Sequence, residues 1–280
     1  MTEVDTVGVT AIALVLSVLF VATAPAWGAD DRIDAAPLLS APPAVQPPGP
    51  PRSAAADAAA YESCMKLARD KPEAGRKRAQ EWRESGGGHP ADHCFAVALI
   101  GLGQYKEAGD RLEALGRAMV RAPDSLRAEV FDQAGQAWML AGDPAHAYAA
   151  AGLALELRPG DPDLLLDRAE AAGAAGWYDK AMTDLDRVLT ADPTRVDALI
   201  YRAAANRALN RLDPAFDDIS QAVTLAPDSV PALLERGNIR SLRGDLEGAR
   251  LDWQRVSVMS PGSTAAKAAG KNLERLANGG

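Results

Sequence analysis

Cysteine and histidine are scarce in this chain, with two Cys and three His (His89, His93 and His146) in 280 residues. So few exclude a disulfide-dense scaffold and a zinc centre of the usual four-cysteine kind. Aromatic residues make up only 5%, so any core is built from small and aliphatic side chains. A surplus of positive charge is missing too. The formal net charge is −8, whereas a nucleic-acid binder needs a basic face for phosphate contacts, so no nucleic-acid partner is expected. What remains is ordinary for a folded chain: 48% hydrophobic and 24% charged residues, too apolar for wholesale disorder. At roughly 150 residues per domain the length allows about two.

The first 29 residues read as a separate segment. An apolar run from Val7 to Ala26, densest between Ala11 and Val21, exits at Ala24-Pro25-Ala26, a small-x-small site of the kind a signal peptidase cuts. Glu3 and Asp5 stand where basic residues usually precede such a run. Two readings follow: a cleaved signal peptide, or an uncleaved N-terminal anchor that makes a membrane tether. Either places the rest of the chain outside the cytoplasm, and the periplasm is expected. Residues 30–52 are a different material, with Pro37, Pro42, Pro43, Pro47, Pro48, Pro50 and Pro51 close together. Each Pro removes a backbone donor and restricts its predecessor, so this stretch is expected as a disordered, semi-rigid extended linker.

The rest of the chain repeats itself. Pro159, Pro193, Pro227 and Pro261 stand 34 residues apart, and Ala147, Ala181, Ala215 and Ala249 keep the same interval. Gly142, Gly176, Asn210 and Gly244 recur five residues before each Ala. A fixed period of this size marks stacked supersecondary units rather than one closed core. Gly or Asn suits a helix end, small Ala a close helix crossing, and Pro the end of a second helix. Apolar residues between them recur at helical spacing: Leu165, Ala169 and Ala172 on one face, Leu185, Val188 and Leu189 on another. Each unit is therefore two antiparallel helices of about a dozen residues.

These markers resemble the tetratricopeptide repeat, most clearly at Gly135, Trp138, Ala147, Ala154, Leu155 and Pro159 and at Gly176, Tyr178, Ala181, Leu189 and Pro193. The resemblance continues through Ala215, Ala222, Leu225 and Pro227, then Gly237, Gly244, Ala249 and Pro261. The aromatic expected on the first helix is lost at Ala172, Asn206 and Arg240, and Asn210 replaces a turn Gly. The resemblance implies an all-α fold: a right-handed α-α superhelical solenoid of helix pairs over residues 53–280, with a C-terminal capping helix.

Repeats are expected at about 55–88, 89–125, 128–161, 162–195, 196–229 and 230–262, with the cap at 263–278. In the second, Ala108 holds the small position, and Ala74 lies 34 residues before it. From Ala108 to Ala147 the interval is 39, so five residues are extra. The Ala118–Pro123 spacing assigns about three of them to the second helix of repeat two and two to the following link. In the cap, Ser263 or Thr264 can start a helix whose stripe is Ala266, Ala269, Leu273 and Leu276, with Lys267, Lys271, Glu274 and Arg275 facing away. Arg168, Arg202 and Arg236 each precede an acid, Asp184, Asp218 or Asp252, by sixteen residues. Three copies in phase predict a structural ion pair.

No catalytic pattern stands out, and no enzyme activity, cofactor or metal is expected. Gly101-Leu-Gly103 and Gly86-Gly87-Gly88 lack the surroundings of a phosphate loop, and no nucleophile elbow occurs. His93-Cys94 is the one tempting dipeptide, but helical neighbours point about 100° apart and cannot form a nucleophile–base pair. Cys64 and Cys94 fall on the first helices of repeats one and two, which pack side by side in the fold this chain resembles. A Cys64–Cys94 disulfide is the favoured reading for an exported chain; separate buried thiols, or a metal shared with His89 and His93, are the alternatives.

In proteins of this type the concave side binds partners through first-helix residues. Carried over by repeat phase, those are Asp132, Gln136 and Met139, then Asp163, Leu166 and Glu170, then Asp197, Ile200 and Arg207, then Leu234 and Asn238. The face is mildly acidic with aliphatic patches and suits an extended or helical peptide, a basic one in particular. Leu166 and Leu234 are the positions where a substitution to Arg is expected to abolish binding without unfolding. The paired Lys and Asn with which relatives clamp a terminal carboxylate are absent. The expected function is a non-catalytic scaffold or adaptor of the cell envelope that binds a protein or peptide segment. The alternative is a self-assembling or cell-wall- or lipid-associated component of an envelope complex.

Overall fold

The computed structural model describes residues 54–278, so the leader and the Pro-rich linker lie outside the described residues. Among those described there are thirteen helices and no strand. They fall into two compact units that divide between Pro159 and Gly160. The first contains α1 (Ala54–Asp70), α2 (Pro72–Glu84), α3 (Gly88–Gly101), α4 (Tyr105–Ala118), α5 (Asp124–Leu140) and α6 (Pro144–Leu157). The second contains α7 (Pro162–Ala174), α8 (Tyr178–Ala191), α9 (Val196–Ala208), α10 (Leu212–Leu225), α11 (Val230–Leu242), α12 (Leu246–Met259) and α13 (Thr264–Ala277). Odd-numbered helices are the first and even-numbered helices the second of each pair, and α13 follows the sixth pair. Each pair packs within itself, and each second helix also packs on the first helix that follows it in its unit.

Local chemistry explains the punctuation. From α3–α4 onward the turn inside each pair needs one residue in the left-handed region, and Gly103, Gly142, Gly176, Asn210 and Gly244 supply it, with φ between 58° and 85°. Asn210 is the one residue other than glycine with positive φ among the described residues, as its short polar side chain allows. Helix starts are capped by Asp143, Asp161, Ser229, Asp245 and Ser263, whose side chains accept backbone N–H bonds. Ser263 is thus the cap of α13, and Lys267, Lys271, Glu274 and Arg275 are exposed on it.

The fourth residue of every second helix is small and buried: Ala108, Ala147, Ala181, Ala215 and Ala249 in α4 to α12. In α2 this position belongs to Gly75, not to Ala74, which is exposed. A Cβ on Gly75 would lie 2.4 Å from the Cα of Ala68, so α1 and α2 approach more closely than any side chain permits. The one-residue joint at Lys71 between these helices shifts the register by one and brings them together.

The five extra residues also fall elsewhere than expected. Helix α4 has 14 residues, like every later second helix, whereas α5 has 17 against 13 in α7, α9 and α11. Four extra residues therefore form one more turn at the start of α5, and the fifth lengthens the preceding link. Pro123 misled the count because it is the N-cap of α5 rather than the end marker of α4. Leu126 buries itself in that added turn, and the Arg127 guanidinium donates to the Gly116 carbonyl at 3.2 Å.

The repeated charges form ion pairs within their own repeats. Arg168 grips Asp184 with two bonds of 2.8 and 2.7 Å, Arg202 grips Asp218 at 2.9 and 2.7 Å, and Arg236 grips Asp252 at 2.9 and 2.6 Å. All three carboxylates are buried. The same slot is filled differently upstream. Between α5 and α6 it holds Ala134 and Ala150, both buried, and between α3 and α4 the Arg111 guanidinium lies 4.6 Å over the Phe95 ring. Arg168→Ala strands a buried carboxylate and is expected to cost about 3–5 kcal/mol. The double change Arg168→Ala/Asp184→Ala copies the upstream solution and should cost clearly less, as read by denaturant unfolding of the single and double variants.

Candidate protein-binding face

In the second unit the first helices α7, α9, α11 and α13 lie side by side. Leu166, Ile200 and Leu234 occupy one register on them and are only 8%, 8% and 6% exposed. They are therefore part of the packing between neighbouring first helices and present no surface to a partner. Substituting Leu166 or Leu234 by Arg would disrupt the fold, contrary to the sequence expectation. The periodicity that marks a first-helix position cannot tell its exposed flank from the seam where the next helix lands.

The residues on either side of that seam remain within reach of solvent, and they are mostly acidic. Arg195, the N-cap of α9, donates to both oxygens of Asp197 at 2.8 and 3.0 Å and to Asp163 at 2.8 Å. Its guanidinium is held charged far above its ordinary range by the bonds to Asp197 and Asp163. Further along, Tyr201 bonds to Glu170. Burial pushes the Glu170 carboxyl above the usual carboxylate range, although this bond opposes the shift. Burial and the adjacent Glu170 charge push the Tyr201 hydroxyl upward as well. Asp167 contributes a further negative charge beside them.

Arg207 and Asn238 are engaged internally. The Arg207 Nε donates to Glu235 at 2.5 Å, and the Asn238 amide donates to the other Glu235 oxygen at 3.2 Å. The Asn238 carbonyl accepts from the Trp253 indole at 3.2 Å and from Asn272 of α13 at 2.9 Å. This network joins α9, α11, α12 and α13, so Asn238 positions the terminal helix. Asp167, Tyr201 and Glu235 escaped the sequence reading, although they stand 34 residues apart and mark the polar edge of the seam.

In the first unit Asp132, Gln136 and Met139 lie half-buried on α5. Gln136 donates to Asp132 at 3.1 Å, and its own side-chain oxygen is buried without a hydrogen-bond partner. Cys64 and Cys94 form a disulfide that ties α1 to α3, and both are fully buried. Next to it, His93 bonds through Nδ1 to the Tyr61 hydroxyl and through Nε2 to the Gln133 side-chain oxygen, each at 2.7 Å. One buried imidazole thus links α1, α3 and α5. Among the described residues no group of three or more His, Cys, Asp or Glu side chains is placed to hold a metal ion.

No protein-family model and no curated protein matches this sequence. Solved structures do match in shape. The Cut9–Hcn1 hetero-tetramer of the APC/C superimposes with a TM-score of 0.59 at 15% identity, over 78% of this chain and 42% of that one. MamA from Desulfovibrio magneticus RS-1, residues 41 to the end, gives a TM-score of 0.51 at 20% identity, over 66% of this chain and 97% of that one.

Two stability predictions come from the α1–α3–α5 junction. Burial holds the His93 imidazole below its ordinary 6.5, so the folded state prefers it neutral. Its contribution is complete above that value and falls as pH drops towards the lower, folded one, because the unfolded chain then binds more protons. The stability difference between the protein and His93→Gln should narrow on acidification from about pH 7.5 to 5, as measured by denaturant unfolding at each pH. Breaking the disulfide, whose partners are 30 residues apart, by Cys64→Ala/Cys94→Ala should cost about 3–4 kcal/mol. Hydrogen exchange should show the loss concentrated in α1–α3.

Proposed function

We propose that this chain, whose helix pairs have the tetratricopeptide-repeat fold, is a non-catalytic scaffold that binds a protein or peptide segment on its first-helix face. The observation that carries the proposal is the acidic border of the α7–α9 seam: Asp163, Asp167, Glu170 and Asp197 with Tyr201. The seam itself is closed by buried aliphatic residues, so these polar groups are not needed to fill the core. A ligand there meets several carboxylates and the Arg195 cation, which favours a segment carrying Lys or Arg. The Cut9–Hcn1 assembly pairs a protein of this fold with another chain, which is consistent with this reading.

A non-catalytic role accords with how the buried polar groups are used. Asp184, Asp218, Asp252, Glu235 and His93 all make bonds that join helices to one another. We further propose that the protein is exported and works in the cell envelope. The apolar leader with its Ala-Pro-Ala exit supports this, as does the fully buried Cys64–Cys94 bond, since such bonds persist mainly in oxidising compartments.

A photo-crosslinking residue placed at Asp167 or Ala204 of the first-helix face, in intact cells, should capture a discrete partner. The same residue at Thr183, on the outward side of α8, should not. Asp163→Lys/Asp167→Lys should remove the capture while the helical circular-dichroism signal stays unchanged. Equal capture from both sides, or none from the first-helix face, would reject the proposal.

A further inference from the structure

The repeat supplies its own control for what an outward-facing surface normally carries. On each second helix two positions, seven residues apart, point directly away from the buried side. They are Thr183 and Thr190 in α8, and Asp217 and Thr224 in α10, all exposed. In α2, α4 and α6 the second of these positions holds Glu84, Arg117 and Glu156. In α12 the two positions are Leu251, 54% exposed, and Val258, 80% exposed. The buried face of α12 is Ala249, Asp252, Trp253 and Val256 on the opposite side, so packing does not explain the change.

Charge changes at the same place. Residues 236–278 contain eight basic and four acidic side chains, whereas residues 54–235 contain twenty basic and twenty-nine acidic. Of the eight, Arg236 and Arg240 pair with the buried Asp252 and Arg243 with Asp213. Arg250 and Arg255 flank the apolar stripe, bonded to Glu247 and Asp228 respectively. Lys267, Lys271 and Arg275 are exposed on α13 against one carboxylate, Glu274.

We propose that the outward side of α12, together with the exposed cationic residues of α13, the helix packed against it, docks on an anionic lipid bilayer. Protruding aliphatic side chains beside long basic ones suit the headgroup layer, where Leu and Val enter the acyl boundary and Arg and Lys stay at the phosphates. The contact lies on the surface: no helix among the described residues is long and apolar enough to cross a membrane. A second copy meeting the same side is disfavoured because it would set one cationic surface against another. The stripe is a ridge on a helix, not a groove that a peptide could fill.

The test uses the full chain and vesicles of phosphatidylcholine, alone or with about one-third phosphatidylglycerol. Residues 1–53 carry five acidic and two basic side chains, so their apolar run has no preference for the anionic vesicles. The ratio of binding between the two vesicle types therefore reports the C-terminal end. We expect about tenfold preference for the anionic vesicles at low ionic strength, lost at high ionic strength. Leu251→Thr/Val258→Thr restores the residues of α8 and should lower anionic-vesicle binding about tenfold with the thermal melt unchanged. Lys267→Glu/Lys271→Glu should abolish the preference between vesicles. Equal binding to both vesicle types, or no effect of the threonine variant, overturns the proposal. A self-association that the threonine variant abolishes, or an acidic protein partner that displaces the vesicles' effect entirely, assigns the stripe to protein contact and overturns it as well.

Discussion

A helix of about fourteen residues is marginal in water on its own, and everything in this protein rests on how closely such helices can approach one another. The fourth residue of each second helix decides that approach. It is Gly75, Ala108, Ala147, Ala181, Ala215 or Ala249, and each is buried. A larger side chain there would push the two helices of a pair apart and, within each unit, disturb the packing of the second helix on the first helix that follows it. At Gly75 even a methyl group does not fit. With few aromatic residues to fill gaps, the core depends on this closeness rather than on bulk.

A second slot, between the seventh residue of each second helix from α4 onward and the first-helix residue that faces it, tolerates much more. It holds Phe95 with Arg111, Ala134 with Ala150, and then three Arg–Asp pairs. What these share is complementarity: ring and cation, two methyl groups, or a bidentate ion pair whose carboxylate is buried. Mixing halves of different solutions would leave a void or an unpaired charge. The ion pairs are therefore structural devices, and their charge is turned inward and unavailable to a partner.

Surfaces left over by this packing carry the functional reading. The first-helix side of α7 and α9 keeps carboxylates at the edge of a closed aliphatic seam. The outward side of α12 exposes Leu251 and Val258 where α8 and α10 expose Thr and Asp. Both departures stand out because the repeat states what a position would be if packing alone acted. The network through Arg207, Glu235, Asn238 and Asn272 shows the opposite case, in which residues at ligand-type positions serve to seat the last helix.

The helix pairs, their turn residues and the repeated ion pairs were legible in the chain, because each depends on spacing along a helix or on a repeated interval. The pairing of Cys64 with Cys94 followed instead from the side-by-side first helices of the fold the chain resembles. Three matters were not legible. Gly75 replaced Ala74 because a one-residue joint at Lys71 altered the register. The extra turn went to α5 because Pro123 works equally well before a helix as after one. Leu166, Ile200 and Leu234 proved to be core because a helical position fixes the direction of a side chain but not whether another helix stands there. Sequence periodicity determined which residues share a face; only the docking of α7, α9, α11 and α13 against one another decided which part of that face water still reaches.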